Sequence, residues 1–259
     1  MSSPSTFDCF GLVIHGLNAD EAFKRADLTL VHGGQVFIVT TNPEILLEAK
    51  RDPAYWEILR KADLRLVDSF GLKIAGLLSG AILNRLTGVD FAERLLQESL
   101  TRGWKVGLVG GAPGVADKAS WKIREAYSDL SIMSEVGGYV ENDGSDDEAG
   151  AEARMRLTQY APDILLVAFG HPKQEAWIAR HLAEFPSVKI AMGVGGTLDY
   201  WSENVKRAPA FIRSMGLEWL WRLFQEPTRW KRIFNAVVVF PVKFLISKMG
   251  GGRTMNNER

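Results

Sequence analysis

The stretch from Val36 to Gly71 decides the fold; it begins VFIVTTNPEILLEAK (36–50) and ends LRLVDSFG (64–71). Its two apolar runs, 36–39 and 64–67, are short and rich in β-branched or large apolar residues, as buried parallel strands are. Small polar residues follow each run. Ligands in open α/β sheets bind beyond the carboxyl ends of the strands. If the two strands are neighbours, Thr40, Asn42 and Asp68 therefore face one crevice as candidate catalytic residues.

The same residues also have a purely structural interpretation. Asn42 precedes Pro43, and asparagine followed by proline is a good helix start. Asp68 would be an equally good cap for a helix from Ser69 to Leu78. The residues alone therefore do not decide between a helix-capping role and a catalytic role for Asn42 or for Asp68.

Further apolar runs extend the strand pattern along the chain. They lie at Phe10–His15, 104–111, Leu130–Met133, Ile164–Phe169 and Val188–Met192. Helical patterns of about 10–15 residues separate them, which predicts an α/β fold with a mostly parallel, doubly wound, Rossmann-like sheet. The alternation stops after Thr197. We therefore expect a Rossmann-like core over residues 1–200 and a helical, basic C-terminal appendage over 201–259.

Composition fits a well-cored globular protein. The chain has 259 residues, of which 46% are hydrophobic and 24% charged. The single cysteine, Cys9, excludes an internal disulfide and fits a reducing compartment. The start MSSPSTFDCFG has no basic region followed by an apolar core, so no secretory signal is expected. No apolar run reaches 18 residues, so no spanning helix is predicted.

The neutral net charge conceals an asymmetry between the tail and the rest. Residues 205–259 carry 11 Lys and Arg against three acids, whereas the remainder carries 20 basic and 28 acidic residues. A basic tail predicts an anionic partner, either nucleic acid or an anionic membrane. Four of the eight tryptophans also lie between 201 and 230, interleaved with Leu and Phe. This apolar content favours a membrane surface and argues against nucleic acid.

The run from Ile233 to Ile246 is apolar apart from Asn235, Pro241 and Lys243. It is too short to span a bilayer and suits an interfacial helix. A buried core helix or an oligomer interface is the alternative. Pro209, Phe211 and Ile212 at the start of the tail are further candidates for contact with the core or with a second subunit, so a homo-oligomer stays open.

Three glycine-bearing turns follow predicted strands. GLVGGAPG (107–114) contains Gly110 and Gly111, and GVGGT (193–197) contains Gly195 and Gly196. Glycine lets a backbone approach a nucleotide closely, and a helix N-terminus after it offers N–H donors to phosphate. The spacing is not that of an NAD site, and a plain strand-to-helix turn is the alternative.

The third turn, FGHPKQE (169–175), places Gln174 in the first turn of a helix near the same crevice. His171 in this turn is a candidate base, although a lone histidine in a turn is more often structural. The scattered Cys9 and histidines form no metal-ligand pattern, and no Asp-x-Asp follows a strand. We therefore expect no metal, with Arg or Lys meeting any phosphate charge. Arg222, Arg229 and Arg232 are candidates, the last two on one helix face.

The chain resembles the TagA/WecG/CpsF glycosyltransferases of bacterial cell-surface polysaccharide synthesis over most of residues 10–235. The matching motifs are VTTNPEIL (39–46), LVDSFGL (66–72), RLTGVDF (85–91), GLVGGAPGVA (107–116), PDILLVAFGHPKQEAWI (162–178) and GVGGTLDYWSENVKRAPAFIRSMGLEWLWRLFQEPTRWKR (193–232). The last motif is long and specific. Ser69 departs from the glycine that often follows the aspartate in the family.

The resemblance implies an inverting transfer from a UDP-sugar, N-acetylmannosamine-type or a hexose, to a polyprenyl-diphosphate-linked sugar. It would take place at the cytoplasmic face of the cell membrane, with the protein bound peripherally through its tail. By motif position, Asp68 is the general base beside Thr40 and Asn42. The resemblance also places Arg85, Gln174, Arg222, Arg229 and Arg232 in the site. A catalytically silent nucleotide-sugar-binding or membrane-adaptor protein is the alternative.

Overall fold

The computed structural model describes residues 5–250, excepting the side chains of Arg229, Met249 and Gly250. In this part of the chain one sheet has eight strands in the order β1-β2-β4-β3-β8-β7-β5-β6. All neighbours are parallel except the β1–β2 pair. The strands are β1 (Thr6–Cys9), β2 (Leu12–His15), β3 (Val36–Thr41), β4 (Leu64–Val67), β5 (Val106–Gly110), β6 (Ile132–Glu135), β7 (Ile164–Ala168) and β8 (Ile190–Gly193).

Helices connect the strands and cover both faces of the sheet. They are α1 (Ala19–Val31), α2 (Pro43–Ala49), α3 (Pro53–Lys61), α4 (Phe70–Leu78), α5 (Gly88–Arg102), α6 (Val115–Ala126), α7 (Glu148–Tyr160), α8 (Lys173–His181), α9 (Thr197–Trp201), α10 (Ala210–Ser214), α11 (Glu218–Gln225), α12 (Trp230–Phe234) and α13 (Phe240–Gly250). A π-helical segment, Asn235–Val239, joins the last two.

Two apolar layers explain the stability of this arrangement. Successive residues of a strand point to opposite faces, so Phe37 and Val39 join one core cluster while Val36 and Ile38 join the other. The first cluster includes residues of α2, α3, α4, α8 and α13, and the second includes residues of α1, α5, α6 and α9. The predicted doubly wound, mostly parallel sheet is confirmed.

The predicted first strand, Phe10–His15, is wrong in its bounds. The structure has a hairpin there, with β1 and β2 antiparallel and Phe10 and Gly11 as the two turn residues. Both have positive φ, 57° and 84°, as the right-handed twist of a two-residue hairpin requires. The Asp8 carboxylate accepts a hydrogen bond from the Gly11 N–H at 3.1 Å. Phe-Gly is an uncommon pair for such a turn, so the sequence shows one strand where there are two.

Beyond β8 the described chain, up to residue 250, consists of helices and the loops that connect them. Phe240 and Phe244 of α13 are buried in the same core cluster as Phe7 of β1. Val242, Leu245 and Ile246 of the same helix remain exposed. The apolar run predicted to lie at an interface is therefore divided, one side packing into the core and the other facing outward. Within residues 5–250, no helix has the length and hydropathy needed to cross a bilayer.

Candidate active site

A cavity of about 730 Å³ opens at the carboxyl edge of the sheet. Strands β3 and β4 are adjacent, with Thr40 paired to Leu66 and Thr41 to Val67, so the polar residues that follow them converge as the sequence predicts. Most of the candidate residues line the cavity: Thr40, Asn42, Asp68, Arg85, Gly111, His171, Gln174, Gly195, Gly196, Arg222 and Arg232. Gly110 does not line it, and the side chain of Arg229 lies outside the described residues.

Asp68 lies at the end of β4, where its N–H donates to the carbonyl of Thr41 at 3.0 Å. Its Oδ1 accepts a hydrogen bond of 3.2 Å from the N–H of Gly88, the first residue of α5. The capping alternative for Asp68 at α4 is wrong, because the Ser69 hydroxyl accepts from the Leu72 N–H and caps that helix. The carboxylate is thus left to face the cavity.

Desolvation raises the pKa of Asp68 from its ordinary value of 3.8 to about 7. The nearby charge of Arg85 opposes this rise, the carboxylates of Glu218 and Asp90 add to it, and the hydrogen bond from Gly88 opposes it. The guanidinium of Arg85 does not pair with the Asp68 carboxylate. Its Nε donates instead to the Asp68 backbone carbonyl at 3.0 Å. A carboxyl group with this pKa exchanges protons readily near neutrality.

Thr40 and Asn42 are held by the surrounding backbone. The Thr40 hydroxyl donates to the carbonyl of Gly193 on the neighbouring strand β8 at 3.2 Å. The Asn42 side-chain oxygen accepts from the N–H groups of Glu44 and Ile45 at 2.9 and 3.1 Å, so it caps α2. Asn42 therefore has the structural role that the sequence left open, and it also lines the cavity.

The glycines of the predicted turns have different structural roles. At Gly110, φ is +105° and a Cβ would lie 2.8 Å from the Ala168 carbonyl carbon, so glycine is required there for β5 and β7 to approach. Gly195 donates its N–H to the Gln174 side-chain oxygen at 3.0 Å. At Gly196, a Cβ would lie 2.7 Å from the Arg222 Nη2, so this glycine admits the guanidinium.

Glu175 and Tyr55 form a buried pair that sequence reasoning missed. The Glu175 carboxylate accepts from the Tyr55 hydroxyl at 3.0 Å and from the Gln174 Nε2 at 2.7 Å. Desolvation raises its pKa to about 7, and both hydrogen bonds oppose the rise. Gln174 is thereby fixed between a carboxylate and the Gly195 turn. In the sequence Glu175 resembles an ordinary acid in a first helical turn, and its partner lies 120 residues away.

Cationic groups from the C-terminal helices complete the cavity. Arg222 donates from Nη1 to the Tyr200 hydroxyl at 3.2 Å. Its Nε and Nη2 are buried and have no hydrogen-bond partner in the described structure, although Glu226 lies 3.7 Å from Nη2. Arg232 pairs with Glu44, donating from Nε at 2.9 Å, and His171 lies 3.6 Å from the same carboxylate.

Glu218 of α11 joins the C-terminal helices to the core. Its carboxylate pairs with Arg85 at 2.8 Å and with Arg207 at 3.5 Å. Arg207 in turn pairs with Asp90 of α5 at 2.6 Å. These side chains are partly or largely withdrawn from solvent, so the pairs fix the position of α11 beside Asp68. Sequence reasoning missed Glu218, since an isolated glutamate between Leu217 and Trp219 carries no signal.

No group of three or more His, Cys, Asp or Glu side chains among the described residues is arranged to hold a metal ion. The polar groups of the cavity include a carboxylate of raised pKa, glycine backbone and guanidinium groups. Guanidinium forks match phosphate oxygens. This fold and cavity define an α/β protein with a candidate site for a phosphate-bearing ligand at the carboxyl edge of its sheet.

Comparison with known proteins gives the family. The model of the glycosyl transferase WecG/TagA/CpsF family matches residues 7–254, so the chain belongs to this family. A relative from Bacillus spizizenii, named N-acetylglucosaminyldiphosphoundecaprenol N-acetyl-beta-D-mannosaminyltransferase, is 34% identical over 200 residues, covering 77% of this chain and 75% of the relative. A protein of the same name from Staphylococcus aureus strain MRSA252 is 32% identical over 216 residues, covering 82% and 81%. The resemblance inferred from the motifs is confirmed.

Proposed function

We propose that the protein is an inverting glycosyltransferase that moves a sugar from a UDP-sugar to a sugar carried on a polyprenyl diphosphate. N-Acetylmannosamine, whose transfer the names of both relatives describe, is the proposed donor sugar, and a hexose such as glucose is the alternative. One observation carries the proposal. Asp68, with a pKa of about 7, shares a cavity with glycine turns and guanidinium groups in a chain of this family.

In the proposed reaction the oxygen of an acceptor hydroxyl attacks the anomeric carbon of the donor sugar. The hydroxyl proton passes to the Asp68 carboxylate, and the bond between the anomeric carbon and the UDP oxygen breaks. Attack opposite the leaving group inverts the configuration. A pKa of about 7 suits this role, because much of the carboxyl is ionised at neutral pH while it remains basic enough to accept a proton.

The departing UDP takes the bonding electrons and gains negative charge, which fixed cations stabilise. Arg222 supports this role best, because its Nε and Nη2 are buried without hydrogen-bond partners among the described residues. We assign Arg85, Arg229 and Arg232 to the diphosphate groups with it. Gly111, Gln174, Gly195 and Gly196 are assigned to the donor nucleotide. Gly110 supports that turn by letting β5 approach β7.

The basic, tryptophan-rich tail is proposed to hold the protein peripherally at the cytoplasmic face of the membrane that carries the acceptor. Residues 205–259 carry 11 Lys and Arg and three acids, so the tail is attracted to anionic lipid. Arg222 and Arg232 reach the cavity from this tail. Membrane binding and completion of the site are therefore combined in one segment.

The test is UDP release from a panel of UDP-sugars, with and without a polyprenyl-diphosphate-linked sugar, comparing the wild type with Asp68→Asn. We expect release that requires the acceptor, is lost in Asp68→Asn and is unchanged by a chelator. Acceptor-dependent release that survives Asp68→Asn would keep the transferase and remove the assigned base. Binding of a UDP-sugar without release, with any acceptor of the panel, would instead identify a catalytically silent protein.

A further inference from the structure

Helix α4 presents a large apolar face to solvent. Phe70, Ile74, Leu77 and Leu78 lie at spacings of four, seven and eight residues, so they share one side of the helix. Their exposed fractions are 42, 45, 66 and 63%. The opposite side, with Leu72, Ala75 and Gly76, is buried. A surface helix ordinarily directs polar residues outward; α4 directs aliphatic and aromatic side chains outward.

This apolar face lies between two parts of the C-terminal segment. The ring of Phe70 packs on Gly216, between α10 and α11, where a Cβ would lie 2.6 Å from the Phe70 Cγ. Helix α13 packs against α4 as well. Both neighbours carry exposed apolar side chains of their own: Phe211 and Met215 on one side, Leu245 and Ile246 on the other. The apolar face of α4, a helix of the core, therefore lies between exposed apolar side chains of the tail and adds to the apolar surface that they form.

Two of the sequence segments that form this surface carry cations and no acid. The sequence from Ser69 to Val89, which includes α4, contains Lys73 and Arg85 and no acid. The sequence from Pro227 to Gly250 contains five Lys and Arg and again no acid. The acids of the neighbouring segment, Glu218 and Glu226, lie 2.8 and 3.7 Å from the guanidinium groups of Arg85 and Arg222. An apolar face on segments with an excess of cations complements a surface that is apolar within and anionic at its boundary, which describes an anionic bilayer.

The surface also reaches the cavity. Phe70 of α4 and Trp219 of α11 line the cavity and are at the same time 42 and 39% exposed. The apolar face of α4 therefore begins at the rim of the cavity that contains Asp68. A substrate held in a bilayer beneath α4 would have its headgroup at that rim.

We propose that α4 docks on an anionic lipid bilayer, with Ile74, Leu77 and Leu78 inserted at the level of the headgroups. A second copy of the chain fits this surface less well. A symmetric contact pairs the same patch on both subunits, which would bring Lys73 and its cationic neighbours against themselves. The inference rests on the proposed function only in that the acceptor is lipid-linked.

The experiment compares two double variants of the full chain, Leu77→Glu/Leu78→Glu on α4 and Leu28→Glu/Val31→Glu on α1. Leu28 and Val31 are 59 and 76% exposed, and α1 packs on the opposite face of the sheet, so this pair is a matched control. Co-sedimentation is measured with vesicles of phosphatidylcholine alone and of phosphatidylcholine mixed with phosphatidylglycerol. Leu77→Gln/Leu78→Gln separates lost insertion from added charge repulsion.

We expect the wild type and the α1 variant to bind the anionic vesicles equally. The α4 glutamate variant should show a partition coefficient lowered about tenfold or more, equivalent to about 1.4 kcal/mol, and the glutamine variant a smaller loss. Wild-type binding by the α4 variants would overturn the proposal. So would failure of the wild type to bind, or an oligomer that dissociates in the α4 variants while vesicle binding is unchanged.

Turnover of a water-soluble, short-chain acceptor separates this proposal from the function on which it rests. Leu77 and Leu78 do not line the cavity, so the α4 variants should keep wild-type turnover of that acceptor. If no variant, including the wild type, transfers sugar, the proposed function fails. The vesicle comparison still decides whether α4 docks on a bilayer.

Discussion

Asp68→Asn should make the protein inactive and at the same time more stable at neutral and alkaline pH. The folded structure raises the pKa of this carboxyl from 3.8 to about 7. Each pKa unit corresponds to about 1.4 kcal/mol, so the ionised carboxylate costs at most roughly 4 kcal/mol of folding free energy. The side chain is partly exposed to water in the cavity, so we expect a measured gain of about 2 kcal/mol.

The pH dependence follows from the direction of the shift. Below pH 3.8 the carboxyl is protonated in the folded and the unfolded chain, and its ionisation costs nothing. As the pH rises toward 7, the unfolded chain ionises freely while the folded chain resists, so the wild type loses stability through this window. Asparagine does not ionise, and its side-chain oxygen can still accept from the Gly88 N–H. The advantage of Asp68→Asn should therefore grow from pH 4 to 7 and then level off.

Urea unfolding of the wild type and Asp68→Asn at pH 5 and pH 8 tests the expected gain in stability. UDP release at pH 8 tests the expected loss of activity. Asp129→Asn is the control, because it removes an exposed carboxylate far from the cavity. The variant should gain more stability at pH 8 than at pH 5 and lose acceptor-dependent turnover by a factor of about 100 or more. An equal stability difference at both pH values, or a loss at pH 8, would refute the assigned electrostatics.

Three further variants test other contacts. Gly110→Ala should lower the free energy of unfolding by about 3 kcal/mol, because strain at positive φ adds to an overlap with the backbone of β7. Gly33 also has positive φ but lies in open space, so Gly33→Ala should lower the free energy of unfolding by only about 1 kcal/mol in the same urea titration. Tyr55→Phe should lower the free energy of unfolding by about 1–2 kcal/mol. The loss should be larger at pH 8 than at pH 5, because the Tyr55 hydroxyl donates to the Glu175 carboxylate, which is ionised at the higher pH. A loss that does not depend on pH would contradict this. Arg222→Lys should lower kcat/KM for transfer about tenfold or more, since an ammonium cannot replace a guanidinium fork; unchanged steady-state kinetics would remove Arg222 from the site.

Much of the fold could be predicted from the sequence, since strand and helix periods are local properties. The run at Leu64–Val67 has the predicted bounds, and β3 and β4 are neighbours, which is the condition on which the convergence of their polar residues depended. The hairpin at Phe10 and Gly11 was missed, because positive φ at a phenylalanine depends on strand pairing around it.

The candidate site was predictable where polar residues directly follow strands. Parallel strands bring their carboxyl ends to one edge, so the position of Thr40 and Asp68 at the same edge of the sheet could be predicted without knowledge of the packing. Glu175 and Glu218 were not found. Each acquires its environment from partners that are distant in sequence, Tyr55 for the first and Arg85 for the second.

The sequence by itself determined the alternation of strands and helices, the family motifs and the basic, apolar character of the tail. Only the tertiary structure decided which apolar faces are covered. Phe240 and Phe244 of α13 are buried against β1, whereas Leu77 and Leu78 of α4 face outward. Periodicity shows that a helix has an apolar side, but burial depends on whether a distant segment packs against it. The raised pKa of Asp68 has the same origin, because desolvation is a property of the assembled cavity.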